Sequence, residues 1–464
     1  MPIPTQMEYN VAKQPQRKLF VKMNLLNFDM NIVDELSGIV TQASFTIDAN
    51  SDIRRSCSVA LVVDNAEEYS VKAGNKIWLD KFVQIFVGIE DVYSQEIAYT
   101  NQGIYLINNP SVRYDSTNNV LSFQGLDLMS KLTGVRNGVI EGVATLIPVG
   151  SNIRNVMIET LRKLTTFTKF AITPNPQSVP YDINLDRGAT VYDLLKQLRD
   201  ITPEWEMFFD ENGVFTYRPI PQGKNEPIML DDDLLSEVCL NHVYNTNFEE
   251  VKNVVEVWGR THNPTYYGGV ATVDESTYQV NIPDITTLYN NLTIGFTAPQ
   301  VLFSPKLQVN EVTYPIVNED YTEAKIPEEN VYYVVRYCDE RFIFLGYQQS
   351  YGIAKDENPD SPFYFLGNIG TINKVCLGGE YDNIWSDDLA RQRARYELYL
   401  SARMHDSVTL SCIPIYFLDV NWVVSWTPPN ETEPTLWIIK SISTDFHHEG
   451  VQSINMIKYY PLYP

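Results

Sequence analysis

The sequence predicts a mainly β chain with α+β parts: two related β-domains of small sandwich or barrel type, a small α+β domain and a β-rich insertion. Three observations predict it. Short β-branched and aromatic runs, punctuated by Gly, Asn, Asp and Ser, fill the first ~135 residues and return after residue 253. Between them lie two amphipathic helical stripes and an aromatic hairpin. Finally, two distant hairpin-like stretches share a pattern. "YLINNPSVRYDSTNNVLSF" (105–123) and "WIIKSISTDFHHEGVQSINM" (437–456) each run apolar triplet, Ser, aromatic (Tyr114, Phe446), polar turn, then Val-x-Ser. Chance could match two β-hairpins in this way; a true duplication would leave two similar β-domains bracketing everything else.

The elements follow in order. Residues 1–135 read as an N-terminal arm and the first β-barrel domain. The arm, "MPIPTQMEYNVAKQPQRK", is polar and is expected to be disordered or ordered by a partner. The runs "LFVKMNL", "ASFTIDA", "CSVALVV", "KFVQIFVGI", "GIYLINN" and "NVLSFQG" give its strands, and "YDSTNN" (114–119) a turn. Residues 136–245 read as the α+β domain. "SNIRNVMIETLRKL" puts Ile153, Val156, Met157, Leu161 and Leu164 on one stripe behind Ser151 as N-cap, and "TVYDLLKQLRD" opens on a Thr190–Asp193 capping box. "WEMFF" and "VFTYRPI" then form a hairpin, with Asn212–Gly213 expected at its positive-φ positions.

"NVVEVWGR" opens a second β-barrel domain at 246–265. Residues 266–375, Tyr- and Pro-bearing with acidic loops, read as the β-rich insertion. The remainder of the second barrel is 376–464, with strands "SVTLSCIPI", "NWVVSW", "TLWIIKSIS" and "QSINMIKYY". The Pro-bearing end "KYYPLYP" suggests an extended tail lying on a partner. Acidic loops such as 318–329 read as solvated rim.

Composition narrows the function. With 464 residues there is room for about three domains of ~150 residues each. The chain holds 35 basic and 58 acidic residues, a net charge of -23. A chain this acidic repels phosphate backbones on average, which argues against nucleic-acid binding as its main task. No apolar run approaches the ~20 residues of a membrane span, and the N-terminus lacks the apolar core of a signal peptide. The expectation is a soluble protein made in the cytoplasm. Cys57, Cys239, Cys338, Cys376 and Cys412 are scattered, with no C-x-x-C pair, and read as buried reduced thiols.

Chemistry-bearing patterns are sparse. Of His242, His262, His405, His447 and His448, only the last two adjoin, in a predicted turn that would need a third ligand from elsewhere to hold a metal. No G-x-S-x-G elbow occurs, and "PQGKNEP" (221–227) lacks the upstream glycine and the Ser/Thr of a phosphate loop, so it reads as a turn. Asp231, Asp232 and Asp233 precede a Leu pair and read as helix N-terminal acids. A glycosidase needs only two carboxylates, whose sequence spacing is unconstrained. Asn291-Leu292-Thr293 and Asn430-Glu431-Thr432 match glycosylation acceptors, which carry no meaning without a secretory signal. The 29 tyrosines suit protein interfaces, saccharide faces or half-buried sheet positions. No catalytic residue, cofactor or metal is assigned, and an enzyme is not expected.

The basic stretch "SDDLARQRARYELYLSARMHD" (386–406) stands apart. Ser386 is a good N-cap, with Asp387 and Asp388 in the first turn. Leu389, Ala390, Ala394, Leu398 and Ala402 make a narrow apolar stripe suited to packing on a sheet, expected to be that of the second barrel. Asp387–Arg391 and Arg393–Glu397 are spaced for i,i+4 pairs, whereas Arg395 and Arg403 have no such partner. Arg391, Arg395 and Arg403 are the candidate interface residues, a clamp for carboxylates on a neighbouring subunit.

Taken together, several stretches resemble the central hub (tail-associated) proteins of tailed bacteriophages and related contractile injection machines. These are "VDELSGIVTQASFTIDANSDIRRSCSVALVV" with its Arg-containing turn, "LSFQGLDLMSKLTG", "GATVYDLLKQLRDITPEWEMFFDENGVFTYRPIP", "NVVEVWG", "DDLARQRARYELYL" and "PIYFLDVNWVVSW…LWIIKSISTDF". The likeness is one of texture, without an invariant catalytic motif. It implies two tube-like barrels per chain, assembled as a homotrimer into a pseudo-sixfold ring that joins the tail tube to distal spike or fibre proteins and lets DNA pass. The implied partners are further copies of the chain, a tail tube or distal tail protein, the tape measure protein and other baseplate proteins. The implied location is the virion, at the tail tip or baseplate. Many relatives carry a C-terminal peptidase, lysozyme-like or fibre extension, whereas this sequence stops just after its second barrel. The alternative is a tail protein that binds host cell wall or saccharide, with or without hydrolase activity, through rings and carboxylates of the insertion.

Overall fold

The computed structural model describes residues 4–461 apart from 66, 115–117, 143–144, 231, 429–430 and 448. Twenty-eight strands against five α-helices among these residues make the chain mainly β. Twelve strands form one continuous sheet, and two five-strand units within it repeat one plan. The first unit comprises Ile39–Asp48, Arg55–Val63, Phe82–Glu90, Ile97–Tyr114 and Asn119–Asp127. Side by side these lie in the order first, second, fifth, fourth, third, all antiparallel. The second unit comprises Cys239–Asn247, His405–Cys412, Val423–Trp426, Thr435–Phe446 and Gln452–Lys458. It has the same order and directions.

The match extends to irregularities. Each unit's first strand carries a bulge near its start, between Val40 and Gln42 and between Cys239 and Asn241. Each fourth strand bulges against its fifth, between Asn108 and Ser111 and between Ile439 and Ser441. The pattern shared by 105–123 and 437–456 is therefore the fourth–fifth hairpin of each unit. Residues 115–117 of the first hairpin's turn lie outside the described residues.

Period-2 alternation explains why these strands form: Arg55–Val63 and His405–Cys412 bury every second side chain. The buried residues build separate cores, around Val59, Leu61, Val83 and Ile85 in the first unit and around Leu410, Trp422, Trp437 and Ile454 in the second. The units join edge to edge. Ser441–Phe446 of the second unit's fourth strand pairs with Ala43–Asp48 of the first unit's first strand. The N-terminal arm reinforces that union instead of waiting for a partner. Thr5 and Glu8 form a capping box that starts the helix Gln6–Ala12, whose Val11 enters the first core and Ala12 the second.

The α+β domain packs on the first unit, sharing one core through Phe82, Ile104 and Leu106. Thr190 and Asp193 cap the helix Val191–Asp200 reciprocally, as expected. The N-cap of Ile153–Leu164 is Asn152, not Ser151: its side chain accepts the Asn155 N–H at 3.0 Å. Between the strands Trp205–Phe209 and Phe215–Pro219, Gly213 alone takes positive φ (72°). The Asp210 carboxylate accepts from the Asn212 and Val214 N–H groups, which holds the turn and leaves Asn212 on the ordinary side.

The insertion is an eight-stranded sheet from Tyr266 to Tyr347 around its own aromatic core, with Tyr278, Phe296, Tyr333 and Phe342 fully buried. A further three-stranded sheet joins Val254–Thr261, Gln349–Lys355 and Asn373–Leu377. The helix Asp387–Ser401 rests on this small sheet, not on the second unit. Ala390 and Ala394 are completely buried beneath it, and Gly352 lets it close: a Cβ there would stand 2.2 Å from the Ala390 carbonyl carbon. The C-terminal residues Tyr459 and Tyr460 lie on their own chain. Tyr459 donates to the Gly223 carbonyl at 2.7 Å, and the Tyr460 carbonyl accepts from Tyr399.

Candidate functional site

Three features stand out on this frame: the arginine helix, the union of the units, and the unpaired sheet edges. Ser386 caps the helix by accepting the Leu389 N–H at 3.3 Å, and donates its hydroxyl to Glu319 at 2.5 Å. Glu319 is thus partly buried, held off the solvated rim; burial raises its carboxyl, with the Ser386 hydrogen bond opposing. Asp387 does not pair with Arg391. It is drawn inward, accepts the Tyr351 N–H at 2.8 Å, and burial pushes its carboxyl up to about 7. Asp388 takes Arg391 instead, one position closer.

Arg393 bridges Glu397 and Glu380 at 2.8 and 2.7 Å, half-buried over the Tyr381 ring. Arg403 lies over the rings of Tyr399 and Tyr460, at 5.2 and 5.7 Å. Arg395 is exposed and, among the described residues, has no hydrogen-bond or ion-pair partner. It borders a cavity of ≈ 230 Å³ with Tyr181, Glu204, Leu389 and Tyr396, and an adjoining groove with Arg391, Pro180 and Asp320. The helix therefore brings Arg391 and Arg395 to one surface and turns Arg403 toward the C-terminal tyrosines.

At the union, the turn after Ile39–Asp48 sends two arginines inward. Arg54 meets Glu206 at 2.5 Å and stacks on Phe208 at 3.7 Å. Glu206 also holds Arg218 at 2.8 Å and accepts from Asn421 at 2.5 Å. Asn421 in turn receives Lys440 at 2.9 Å. Arg55 pairs with Asp419 at 2.8 Å, while its N–H goes to Asp127 at 2.9 Å. Burial works to raise Glu206, but Arg54 and Arg218 outweigh it and hold the carboxyl below its ordinary value. The network ties the first unit (Arg54), the α+β domain (Glu206, Arg218) and the second unit (Asn421, Lys440). Its signal in the sequence is the Arg-Arg pair in a turn between apolar strands.

The sheet ends on an open edge. Among the described residues, Cys239–Asn247 pairs with His405–Cys412 on one side only, and Leu240 to Asn247 are all exposed. His242 and Tyr244 reach Trp426 and Trp437 at ring distances of 5.7 and 5.9 Å, so they face the second core without being covered. Leu240 and Val243 expose apolar side chains as well. The first unit's long fourth strand, Ile97–Tyr114, meets Phe82–Glu90 only as far as Leu106; beyond it, Asn119–Asp127 is its one strand partner among the described residues.

Other expected residues stay apart. His262 is buried against Ser350 Oγ at 2.9 Å and beside Trp385, and desolvation lowers it to about 4. His447 Nδ1 accepts the Glu449 N–H, and His448 lies outside the described residues, as does Asp231. Among the described residues no group of three His, Cys, Asp or Glu could hold a metal, and no helix is long and apolar enough to cross a membrane. Cys57, Cys376 and Cys412 are buried; Cys239 and Cys338 are partly exposed, unlike the expectation. The insertion's Tyr278, Tyr333 and Tyr337 lie in its core, leaving those rings no cleft to line.

This architecture is a fold of tail proteins. Two solved structures share it over nearly their whole length. One is the 43 kDa tail protein of prophage MuSo2 from Shewanella oneidensis, at 10% identity and TM-score 0.51, covering 94% of this chain and 98% of that one. The other is the tail protein from Neisseria meningitidis MC58, at 7% identity and TM-score 0.51, covering 94% and 96%. In sequence, residues 360–463 match a family described as a domain of unknown function (DUF5048), and no curated protein matches the chain.

Proposed function

We propose that this chain is a non-enzymatic structural hub of a phage tail tip or baseplate. Three copies form a ring that joins the tail tube, or a distal tail protein, to spike, fibre or other baseplate proteins, with the tape measure protein and then DNA passing along its axis. One observation carries the reading: a five-strand unit occurs twice in one continuous sheet, in a fold shared with tail proteins. Two like sectors per chain suit three copies matching a sixfold tube. The net charge of -23 suits a surface that DNA passes without adhering. Synthesis in the host cytoplasm and location in the virion follow from this role. Arg395, and Arg391 beside it, are the clamp residues we assign to a neighbouring subunit; Arg403 supports them through the C-terminal tyrosines. Labelling intact particles with an antibody to the chain tests the role. Signal at the tail tip is expected. A chain absent from particles, or spread along the tail shaft, contradicts it.

A further inference from the structure

We infer that Cys239 and Cys412 are a thiol–disulfide site: a small-molecule disulfide oxidises the pair to a bond that fastens the outer strand of the second unit. The inference is independent of the role proposed above.

The strands concerned lack a short connection. In the first unit, Ile39–Asp48 and Arg55–Val63 are joined by the turn 49–54. In the second, the corresponding Cys239–Asn247 and His405–Cys412 are separated by residues 248–404, which carry the insertion, the small sheet and the helix Asp387–Ser401. Their ladder and a few side-chain contacts, such as the Thr246 hydroxyl to Asp406 at 2.6 Å, hold them side by side. Among the described residues the outer strand has no second strand neighbour.

The cysteines occupy the far end of that ladder, directly opposite each other. The Val238 carbonyl accepts the Ile413 N–H at 3.0 Å, so the flanking residues make the backbone bond and 239–412 is a non-hydrogen-bonded pair. Such pairs are the close ones of an antiparallel ladder, with Cα atoms ~4.5 Å apart, inside the ~4.4–6.8 Å that a disulfide spans. Both side chains meet the second core, Cys412 completely buried and Cys239 packed against it while partly exposed. The Cys412 thiol donates to the Cys239 sulfur. The bulge after Cys239 interrupts the ladder beside the pair and gives a small reagent access. At the same place the first unit, with its short turn, has Val40 opposite Leu61.

The two sulfurs have different tasks. The hydrogen bond from Cys412 lowers the Cys239 thiol to about 7, with burial opposing, so its thiolate is populated near neutral pH and is the nucleophile. The same bond and burial raise Cys412, which resolves. The Cys239 thiolate attacks one sulfur of the small disulfide; a mixed disulfide forms, the reagent's S–S bond breaks and one thiolate leaves. Cys239 then carries no charge to hold Cys412 up. Cys412 passes its proton to the departed thiolate and attacks the Cys239 Sγ, expelling the second small thiol. The pair has lost two electrons and two protons, and one small disulfide has become two thiols. Cys338, also partly exposed, stands opposite Arg341 and has no cysteine to resolve it.

The test incubates the full, reduced chain with glutathione disulfide near neutral pH. Peptide mapping by mass spectrometry is expected to find a 239–412 bond, with Cys57, Cys338 and Cys376 left as thiols. Hydrogen exchange along Leu240–Asn247 is expected to slow roughly tenfold on oxidation, because the outer strand can no longer open locally. Cys338→Ser should behave as wild type; Cys239→Ser should form no bond and show no slowing. Glutathione that stays on Cys239 without a 239–412 bond, or a chain that resists oxidation at this pair, overturns the site. A 239–412 bond that leaves exchange along the strand unchanged overturns the fastening.

Discussion

Glu206→Gln tests whether the buried charges hold the two units together. In the folded chain Glu206 is 5% exposed and Arg54 3%, at 2.5 Å, while Arg218 retains 18% side-chain exposure. Glutamine keeps the shape but removes the charge. Arg218 can turn toward water, whereas Arg54 is fixed against Phe208 at 3.7 Å and stays buried without a counter-charge. One such group costs about 3–5 kcal/mol. The effect also has a pH signature. A carboxyl held below its unfolded value stabilises the fold above the unfolded pKa of about 4.3, and that contribution is lost as pH falls through the folded value. The difference between wild type and Glu206→Gln should therefore be full at pH 7 and shrink below pH ~4. Urea unfolding followed by hydrogen exchange at Ser441–Phe446 reads both quantities, and protection of that ladder should fall with stability. A variant within about 1 kcal/mol of wild type at pH 7, with the ladder equally protected, would refute the idea that this network fastens the units.

Three further outcomes follow from the helix and its sheet. Gly352→Ala places a methyl 2.2 Å from helix backbone, which cannot rotate aside, and should destabilise by about 1–3 kcal/mol in thermal unfolding. Asp387→Asn keeps the hydrogen bond from Tyr351 and removes a carboxyl raised to about 7 by burial. Wild type loses stability as pH rises from the unfolded value of about 3.9 to the folded one, so the variant should gain on it over that window, by at most about 4 kcal/mol, and match it at pH 3.5. Arg395→Glu should weaken ring assembly in sedimentation while leaving the circular dichroism and melting of the isolated chain unchanged, because no partner among the described residues holds that side chain.

What the sequence made legible was local. Capping at Thr190 and Ser386 depends on residues three apart, and the alternation in 55–63 and 405–412 reports one buried face. Even the duplication left a trace, because the fourth–fifth hairpins are contiguous in the chain. Sheet partners brought from afar were not legible. Val254–Thr261 looked like barrel, yet its neighbours are Gln349–Lys355 and Asn373–Leu377, far along the chain. The helix 387–401 follows that small sheet because Gly352 faces Ala390, a contact no periodicity reveals. Asp387 was misread for a similar reason: i,i+4 spacing favours Arg391, but the unpaired N–H of Tyr351 competes and wins. Arg54 and Glu206, 152 residues apart, could be found only as an unexplained Arg-Arg turn.

Electron cryo-microscopy of the assembled protein tests the central claim most directly. The account predicts a ring of three chains, pseudo-sixfold in its tube-like sheets. A monomer, or an assembly in which the two sheet units of each chain do not form a pseudo-sixfold ring, would contradict it.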